Sequence, residues 1–246
     1  MEERIQKVLS SQGFCSRREA DRLLEEGRIA VNGRRAHPGD KIDPAKDVLH
    51  VNGRRVHLQK KVAKLYYMLY KPRGYVTTLR DEHADKTVAD LMSDVETRLY
   101  PVGRLDKDSE GLLIMTNDGD FTNLLTHPSG KVAKNYRVSV EPYPNEEQLV
   151  QLAAGVKLDD GFKTQPARVR VTGGDGNTRG TMEIIITEGH NREVRRMCDA
   201  VGLTVTRLKR TAIGPLSLGK MKAGEYRQLK PSEIAGLRRN ASAGKK

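Results

Sequence analysis

The densest group of residues able to do chemistry is Gly103-Arg104-Leu105-Asp106-Lys107-Asp108-Ser109-Glu110-Gly111. Asp106, Asp108 and Glu110 alternate there with other residues, and Arg104 and Lys107 flank the first acid. Apolar runs lie on both sides, Leu99 to Val102 before and Leu112 to Met115 after. They are short, branched and bounded by Gly and turn residues, a pattern that predicts two strands joined by a polar loop. Asp106 then stands at the rim of a sheet between two cations. A carboxylate beside a cation stays ionised and can act as a nucleophile or a base. The same residues also suit a solvated turn whose aspartates cap backbone amides, and spacing alone does not separate the two.

A second group lies downstream, Glu188-Gly189-His190-Asn191-Arg192-Glu193-Val194-Arg195-Arg196-Met197-Cys198. Asn191 is placed to cap a helix. At helical periodicity Val194, Met197, Cys198 and Val201 share one face and pack on a sheet. Arg192, Arg195 and Arg196 lie off that face, with Arg195 nearest its edge and best placed to reach a buried carboxylate. Between the two groups, Lys134 to Glu141 alternates as a strand carrying Tyr136.

The elements that position these residues can be read in order. Ile5, Val8 and Leu9 have helical spacing up to Gly13. Ser16-Arg17-Arg18-Glu19 has the form of a capping box for a helix with Ala20, Leu23 and Leu24 inward. Two Asn-Gly dipeptides, Asn32-Gly33 and Asn52-Gly53, signal hairpins. Arg17, Arg18, Arg22, Arg28, Arg34 and Arg35 make this module basic, and free amides at the start of the second helix add to the pull on phosphate. Residues 55–64 read as a linker. A second domain then opens with the strand Leu65 to Tyr70 and the turn Lys71-Pro72-Arg73-Gly74. A helix is expected over Thr87 to Val95, a short one around Phe121, Leu124 and Leu125, and one capped by Asn145. Strands are expected at Ala167 to Val171, Thr181 to Thr187 and Thr204 to Lys209, and a last helix at Pro231 to Arg239. Strands outnumber helices and follow one another, so the class is α+β, with a mixed or antiparallel sheet in the second domain. The division is 1–62, 63–237 and a basic tail at 238–246.

The chain has 246 residues, 37% of them hydrophobic, and a formal net charge of +12. Residues 1–62 hold 14 Lys/Arg against 9 Asp/Glu, residues 63–188 hold 16 against 19, and residues 189–246 hold 14 against 4. Basic ends around a near-neutral middle suit a polyanion gripped at two patches, nucleic acid above all. No apolar run approaches the roughly 18 residues of a membrane helix, and the first residues lack the apolar centre of a signal peptide. Cys15 and Cys198 stand alone, with neither zinc-ligand spacing nor a disulfide framework around them. A cytosolic protein without membrane contact is expected.

Gly-Arg-Leu-Asp-x-Asp-Ser-Glu-Gly-Leu-Leu resembles the catalytic motif of the RNA pseudouridine synthases. The Lys-Pro-x-Gly loop, Tyr136 and Glu-Gly-x-Asn-Arg-x-Val-Arg-Arg-Met extend the likeness. Ser-Arg-Arg-Glu-Ala-Asp-Arg-Leu-Leu-Glu-Glu-Gly-Arg-Ile-Ala-Val-Asn-Gly resembles the S4 RNA-binding domain. The whole pattern is similar to the RsuA branch, and Cys-Ser-Arg-Arg-Glu-Ala-Asp-Arg and Arg-Arg-Met-Cys most of all to its RluF type, which acts on 23S rRNA. The resemblance implies that Asp106 attacks the target uridine, that Tyr136 carries the flipped base, and that Arg195 pairs with Asp106. It implies no metal and no cofactor. Its expected partner is ribosomal RNA, 23S ahead of 16S, met by a monomer. Arg17, Arg18, Arg22, Arg28, Arg34, Arg35, Lys71, Arg73, Arg104, Arg192 and Arg196 are the expected RNA contacts. Asp106 could open the reaction at C1′ of the ribose, on the uracil ring, or by taking a ribose proton. Two other classes stay open: an RNA-binding assembly factor without turnover, and an S4 module that regulates translation.

Overall fold

Both Asn-Gly dipeptides turn the chain as their chemistry requires: Asn32, Gly33, Asn52 and Gly53 all have positive φ, between 49° and 80°. That conformation closes two-residue hairpins whose twist matches the strands they join. The computed structural model describes residues 2–58, 63–79 and 86–244, and it divides into two compact units.

The first unit is Met1–Leu65 with two short returns, Glu96–Arg98 and Asn117–Gly119. It contains β1 (Glu3–Arg4), α1 (Ile5–Ser11), α2 (Arg17–Glu25), β2 (Ile29–Val31), β3 (Arg34–Arg35), β4 (Lys41–Ile42), β5 (Leu49–Val51) and β6 (Arg54–Val56). The hairpins β2–β3 and β5–β6 join through β2 and β5 into an antiparallel sheet of order β3-β2-β5-β6. Ile5, Leu9, Leu24, Ile29 and Leu49 fill the core beneath the helices. Ser16 caps α2 by accepting from the amide of Glu19 at 3.1 Å, while the Glu19 carboxylate holds Arg22. The expected linker at 55–64 needs correction, because Arg54–Val56 is the outer strand of this sheet; residues 59–62 lie outside the described residues.

The second unit is built on one large sheet: β7 (Tyr66–Lys71), β8 (Tyr100–Val102), β9 (Glu110–Thr116), β10 (Lys134–Glu141), β11 (Arg168–Gly174), β12 (Gly180–Ile186), β13 (Thr204–Ile213), β14 (Leu216–Ser217) and β15 (Tyr226–Gln228). Its main path runs β11-β12-β10-β13-β9-β7-β15, with β8 on β9 and β14 on β13. Among the described strands every pairing is antiparallel except β9 with β13, so the sheet is mixed and the class is α+β. The helices are α3 (Gly119–Thr126), α4 (Glu146–Ala154), α5 (Glu193–Ala200) and α6 (Pro231–Ala243). Leu152 of α4 and Val194, Met197 and Cys198 of α5 pack on Val138, Met182 and Ile184 of the sheet. Phe121 of α3 and Leu237 and Ala241 of α6 join a second cluster with Met68, Leu112 and Ile114.

Two expectations fail here. Thr87 to Val95 does not form a helix; a single 3₁₀ turn, Asp90–Met92, stands in its place. The Asp90 carboxylate accepts from both the amide (2.6 Å) and the hydroxyl (3.0 Å) of Thr87, a local bond that competes with helical pairing. The expected tail at 238–246 is corrected for its described residues, 238–244, which are not loose. Helix α6 runs to Ala243, and its Leu237 and Ala241 are fully buried.

Candidate active site

The loop between β8 and β9 carries Asp106, and its backbone is tied down carbonyl by carbonyl. The Arg104 carbonyl accepts from Arg210 Nη1 at 3.3 Å, and that of Leu105 from Thr77 Oγ1 at 2.6 Å. The Asp106 carbonyl accepts from the Ser109 amide at 3.0 Å, and that of Lys107 from the Gly74 amide at 2.7 Å. The Asp108 carbonyl takes Arg195 Nη2 at 3.1 Å, and that of Ser109 takes Lys71 Nζ at 2.7 Å. Six consecutive carbonyls are therefore satisfied, three of them by cations. A loop so fully paired is a rigid support for the side chain at its centre.

That side chain, the Asp106 carboxylate, is about 30% exposed. It stands on a cavity of roughly 590 Å³ whose wall also includes Arg104, Lys134, Tyr136, Leu208 and Arg210. Tyr136 is 8% exposed and faces the helix side of the sheet from β10. A carboxylate, an aromatic ring and several cations thus share a cleft large enough for a nucleotide.

Helix α5 presents its arginines differently from the expectation. Its N-cap is Arg192, in the left-handed conformation at φ 50°, and not Asn191. Among the described residues no side chain caps the first amides of α5; the Glu193 carboxylate instead accepts from the His190 amide, just ahead of the helix, at 2.7 Å. Arg192 Nη1 lies 3.7 Å from Asp106, and its two nitrogens bond both Asp108 oxygens at 3.2 and 3.3 Å. The expected pairing of Arg195 with Asp106 is corrected: Arg195 meets the Asp108 carboxylate at 3.2 Å and the Val205 carbonyl at 3.2 Å. Arg195 stands one helical turn further along α5 and is buried where Arg192 is exposed, and of the two Arg192 is the one paired with the Asp106 carboxylate. Arg196 turns elsewhere, to Asp159 and Asp160.

Lys71 also departs from its expected role. It is fully buried, and its ammonium serves the Pro72 and Ser109 carbonyls, so it supports the loop and does not meet RNA. Arg73 and Arg104 remain exposed. In the first unit Arg17, Arg18, Arg22, Arg28, Arg34 and Arg35 reach the surface. Arg22 is shared between Glu19 and Glu26, and Arg28 meets Glu26.

Burial pushes the Lys71 ammonium down to about 8 against the pull of Asp106 and Asp108. It pushes Lys134 to about 8 as well, with the Arg210 charge adding to the effect. Burial also lowers Arg195, opposed by Asp108. Burial of Asp108 works against its ionisation, but the Arg192 hydrogen bonds and the Arg195 charge outweigh it and hold the carboxyl below its ordinary range. Glu193 goes the other way, pushed up to about 7 by burial and by the neighbouring Glu188. Among the described residues no group of His, Cys, Asp and Glu is arranged to hold a metal ion, and Cys15 and Cys198 are free and buried.

Thr77, Lys134 and Arg210 were not singled out from sequence. Arg210 had a legible signal, since it shares strand parity with the buried Leu208, and a charge on the inward face of a strand needs a reason. Thr77 had none.

A small basic module followed by a mixed sheet that presents an anchored carboxylate and a tyrosine on one cavity suits an enzyme that acts on nucleotides within RNA. Comparison with known proteins makes the class definite. Residues 65–200 match the family described as RNA pseudouridylate synthase, and residues 3–49 match the S4 domain. Ribosomal large subunit pseudouridine synthase B of Bacillus subtilis is 40% identical over 99% of this chain and 98% of its own length. The dual-specificity RNA pseudouridine synthase RluF of Escherichia coli is 37% identical over 95% of this chain and 78% of its own. A crystal structure of a pseudouridylate synthase superposes with a TM-score of 0.67 at 26% identity, covering 95% of this chain and 99% of that one. The chain belongs to the RNA pseudouridylate synthase family and carries an N-terminal S4 domain.

Proposed function

We propose that this protein converts one specific uridine of large-subunit, 23S ribosomal RNA to pseudouridine, with Asp106 as the reacting carboxylate. The observation that carries the reading is the support of Asp106: an open carboxylate in a loop whose six carbonyls from Arg104 to Ser109 are paired, facing a nucleotide-sized cavity. The S4 domain and the exposed arginines supply the phosphate contacts. Tyr136 forms the ring on which the displaced base rests. Arg192 is the cation beside Asp106, and Arg195 acts on it indirectly by fixing Asp108 and the loop. The reaction exchanges a carbon–nitrogen for a carbon–carbon bond within one nucleotide, so it consumes no second substrate. Bringing a stacked uridine into the cavity costs a few kcal/mol, which phosphate contacts at both basic regions offset. The protein acts on RNA in the cytoplasm as a monomer.

The test is to map pseudouridine across the large- and small-subunit rRNAs in cells with and without the gene, then restore it with wild type or Asp106→Asn. One large-subunit position should vanish on deletion and return only with the wild type. Identical maps in the two strains would leave an RNA-binding protein without this activity.

A further inference from the structure

Arg210 is buried, 3% exposed, in the wall of the Asp106 cavity. Its Nε donates to the Leu112 carbonyl at 2.8 Å and its Nη1 to the Arg104 carbonyl at 3.3 Å. Its Nη2 is buried and has no hydrogen-bond partner among the described residues. An unpaired buried donor on a charged group is a standing cost in the folded protein. The backbone makes room for this arrangement. Gly111 has φ 111°, and a Cβ there would stand 2.2 Å from the Arg210 carbonyl oxygen, so only glycine lets β9 approach β13 at this point. Across the next strand, Arg210 stands opposite Tyr136 in register, and directly paired residues on one face of a sheet are near neighbours. Both side chains line the Asp106 cavity, so a base held there has Tyr136 and Arg210 in the same wall.

We propose that the free Nη2 of Arg210 hydrogen-bonds a carbonyl oxygen of the target uracil and stabilises the negative charge that the ring acquires when it is detached from the ribose. The proposal rests on the functional reading above and adds to it a residue that acts on the base. When the C1′–N1 bond breaks, its electron pair goes to N1 and spreads to O2 and O4. C5 then supplies the pair for the new bond to C1′, the C5 proton leaves and N1 gains one, so the net change is an isomerisation. Attack on the ring also places charge on a carbonyl oxygen, so the role holds for each way in which Asp106 could open the reaction. A preorganised donor in a water-poor site favours such developing charge strongly. Arginine suits the place because it keeps its charge when buried, whereas burial brings the neighbouring Lys71 and Lys134 down to about 8. Two of its three nitrogens anchor it, one to the Asp106 loop and one to β9. The third is left for the substrate.

The experiment uses the protein with in vitro transcribed large-subunit rRNA, made with uridine or with 5-fluorouridine, and reads cleavage of the target's C1′–N1 bond on both, because the C5 fluorine cannot leave as the proton does and the fluorinated base stops after rejoining C1′. Fluorine draws electrons from the ring, so the detached base carries its charge with less help. R210M should bind either RNA within about threefold of wild type but consume uridine at the target position roughly 10²–10³-fold more slowly in single turnover, the loss typical of one such donor. On the fluorinated RNA the gap between variant and wild type should shrink at least tenfold. R210K, which keeps a charge, should lose less and show the same narrowing, and it serves as the probe if R210M does not fold. An equal defect on both RNAs would make Arg210 only a clamp for the loop and overturn the proposal, as would a rate within threefold of wild type. No product from wild type on any rRNA would instead sink the functional reading itself.

Discussion

Asp106 and Asp108 are two residues apart and are held differently. Asp108 is pinned by Arg192 and Arg195, while Asp106 keeps its oxygens toward the cavity with Arg192 at 3.7 Å. Asp106→Asn keeps shape and hydrogen bonding but loses charge. It should bind rRNA as well as wild type in a filter-binding titration and form no pseudouridine; measurable turnover would transfer the role. The arginines should separate in the same way. Arg195→Ala removes a buried guanidinium that holds the Asp108 carboxylate and two carbonyls, and should cost about 1–3 kcal/mol of stability as well as activity. Arg192 is exposed, so Arg192→Ala should change the melting temperature little while slowing the reaction. Equal thermal losses would show that both arginines are merely structural. Glu193 gives a pH signature. Its folded pKa, about 7, lies above the ordinary 4.5 of a glutamate, so the folded state holds a proton that the unfolded state releases. Glu193 thus lowers stability progressively as pH rises from 4.5 to 7, and fully above that. Glu193→Gln should stabilise the protein by about 1–2 kcal/mol at pH 8, with the gain fading as pH falls toward 4.5. Melting curves across that range decide it.

Elements with local signals were legible in the sequence. The Asn-Gly hairpins, the Ser16 cap, the Asn145 cap with its reciprocal Gln148 bond and the strand Lys134–Glu141 all follow from turn chemistry, capping and alternation within a few residues. What was hidden depends on side chains that override composition or on partners far along the chain. The Thr87 region looks helical by composition and is claimed by the Asp90 side chain. The C-terminal segment reads as polar because only Leu237 and Ala241 of its last turns face inward. The candidate site was half legible: motif residues pointed to Asp106 and Tyr136, which the fold brings to one cavity, but which arginine meets which carboxylate depends on where each stands on α5. Helix α6 allows a direct check. Deleting residues 238–246 removes Ala241 from the second core and the Arg238 bond to the Tyr66 hydroxyl at 3.1 Å. It should cost about 2 kcal/mol, a melting shift of roughly 4–8 °C; an unchanged melting temperature would return this segment to a free tail.

At the scale of the molecule, the S4 domain and the residues of the Asp106 cavity lie in different units. Residues 1–62 carry 14 Lys/Arg against 9 Asp/Glu, but the cavity residues all belong to the second unit. Every phosphate that the protein ceases to neutralise should flatten the logarithmic salt dependence of RNA affinity by roughly 0.7–0.9. Removing residues 1–62 should therefore weaken binding to full-length rRNA and flatten its salt slope, with slow activity surviving on a short stem-loop at high concentration. Titrations of both proteins on both RNAs across a salt series test this. An unchanged slope would make the first unit a bystander in capture.

The seam between β9 and β13 also sets an order in time. It pairs Lys209 with Glu110 and Arg210 with Gly111, and the bonds that Arg210 makes there span 98 and 106 residues of chain. The bonds that hold the Asp106 loop thus join residues far apart in sequence, and distant pairings close late because their ends must first find each other. The hairpin β5–β6 and the capped helix α2 need only their own neighbourhoods. On a ribosome, residues 1–58 would emerge and fold well before Arg210 has been synthesised, so a nascent chain could hold RNA before it could alter it. In refolding from denaturant, the same seam should make catalytic activity return in the slowest phase, after most of the far-ultraviolet circular dichroism has recovered.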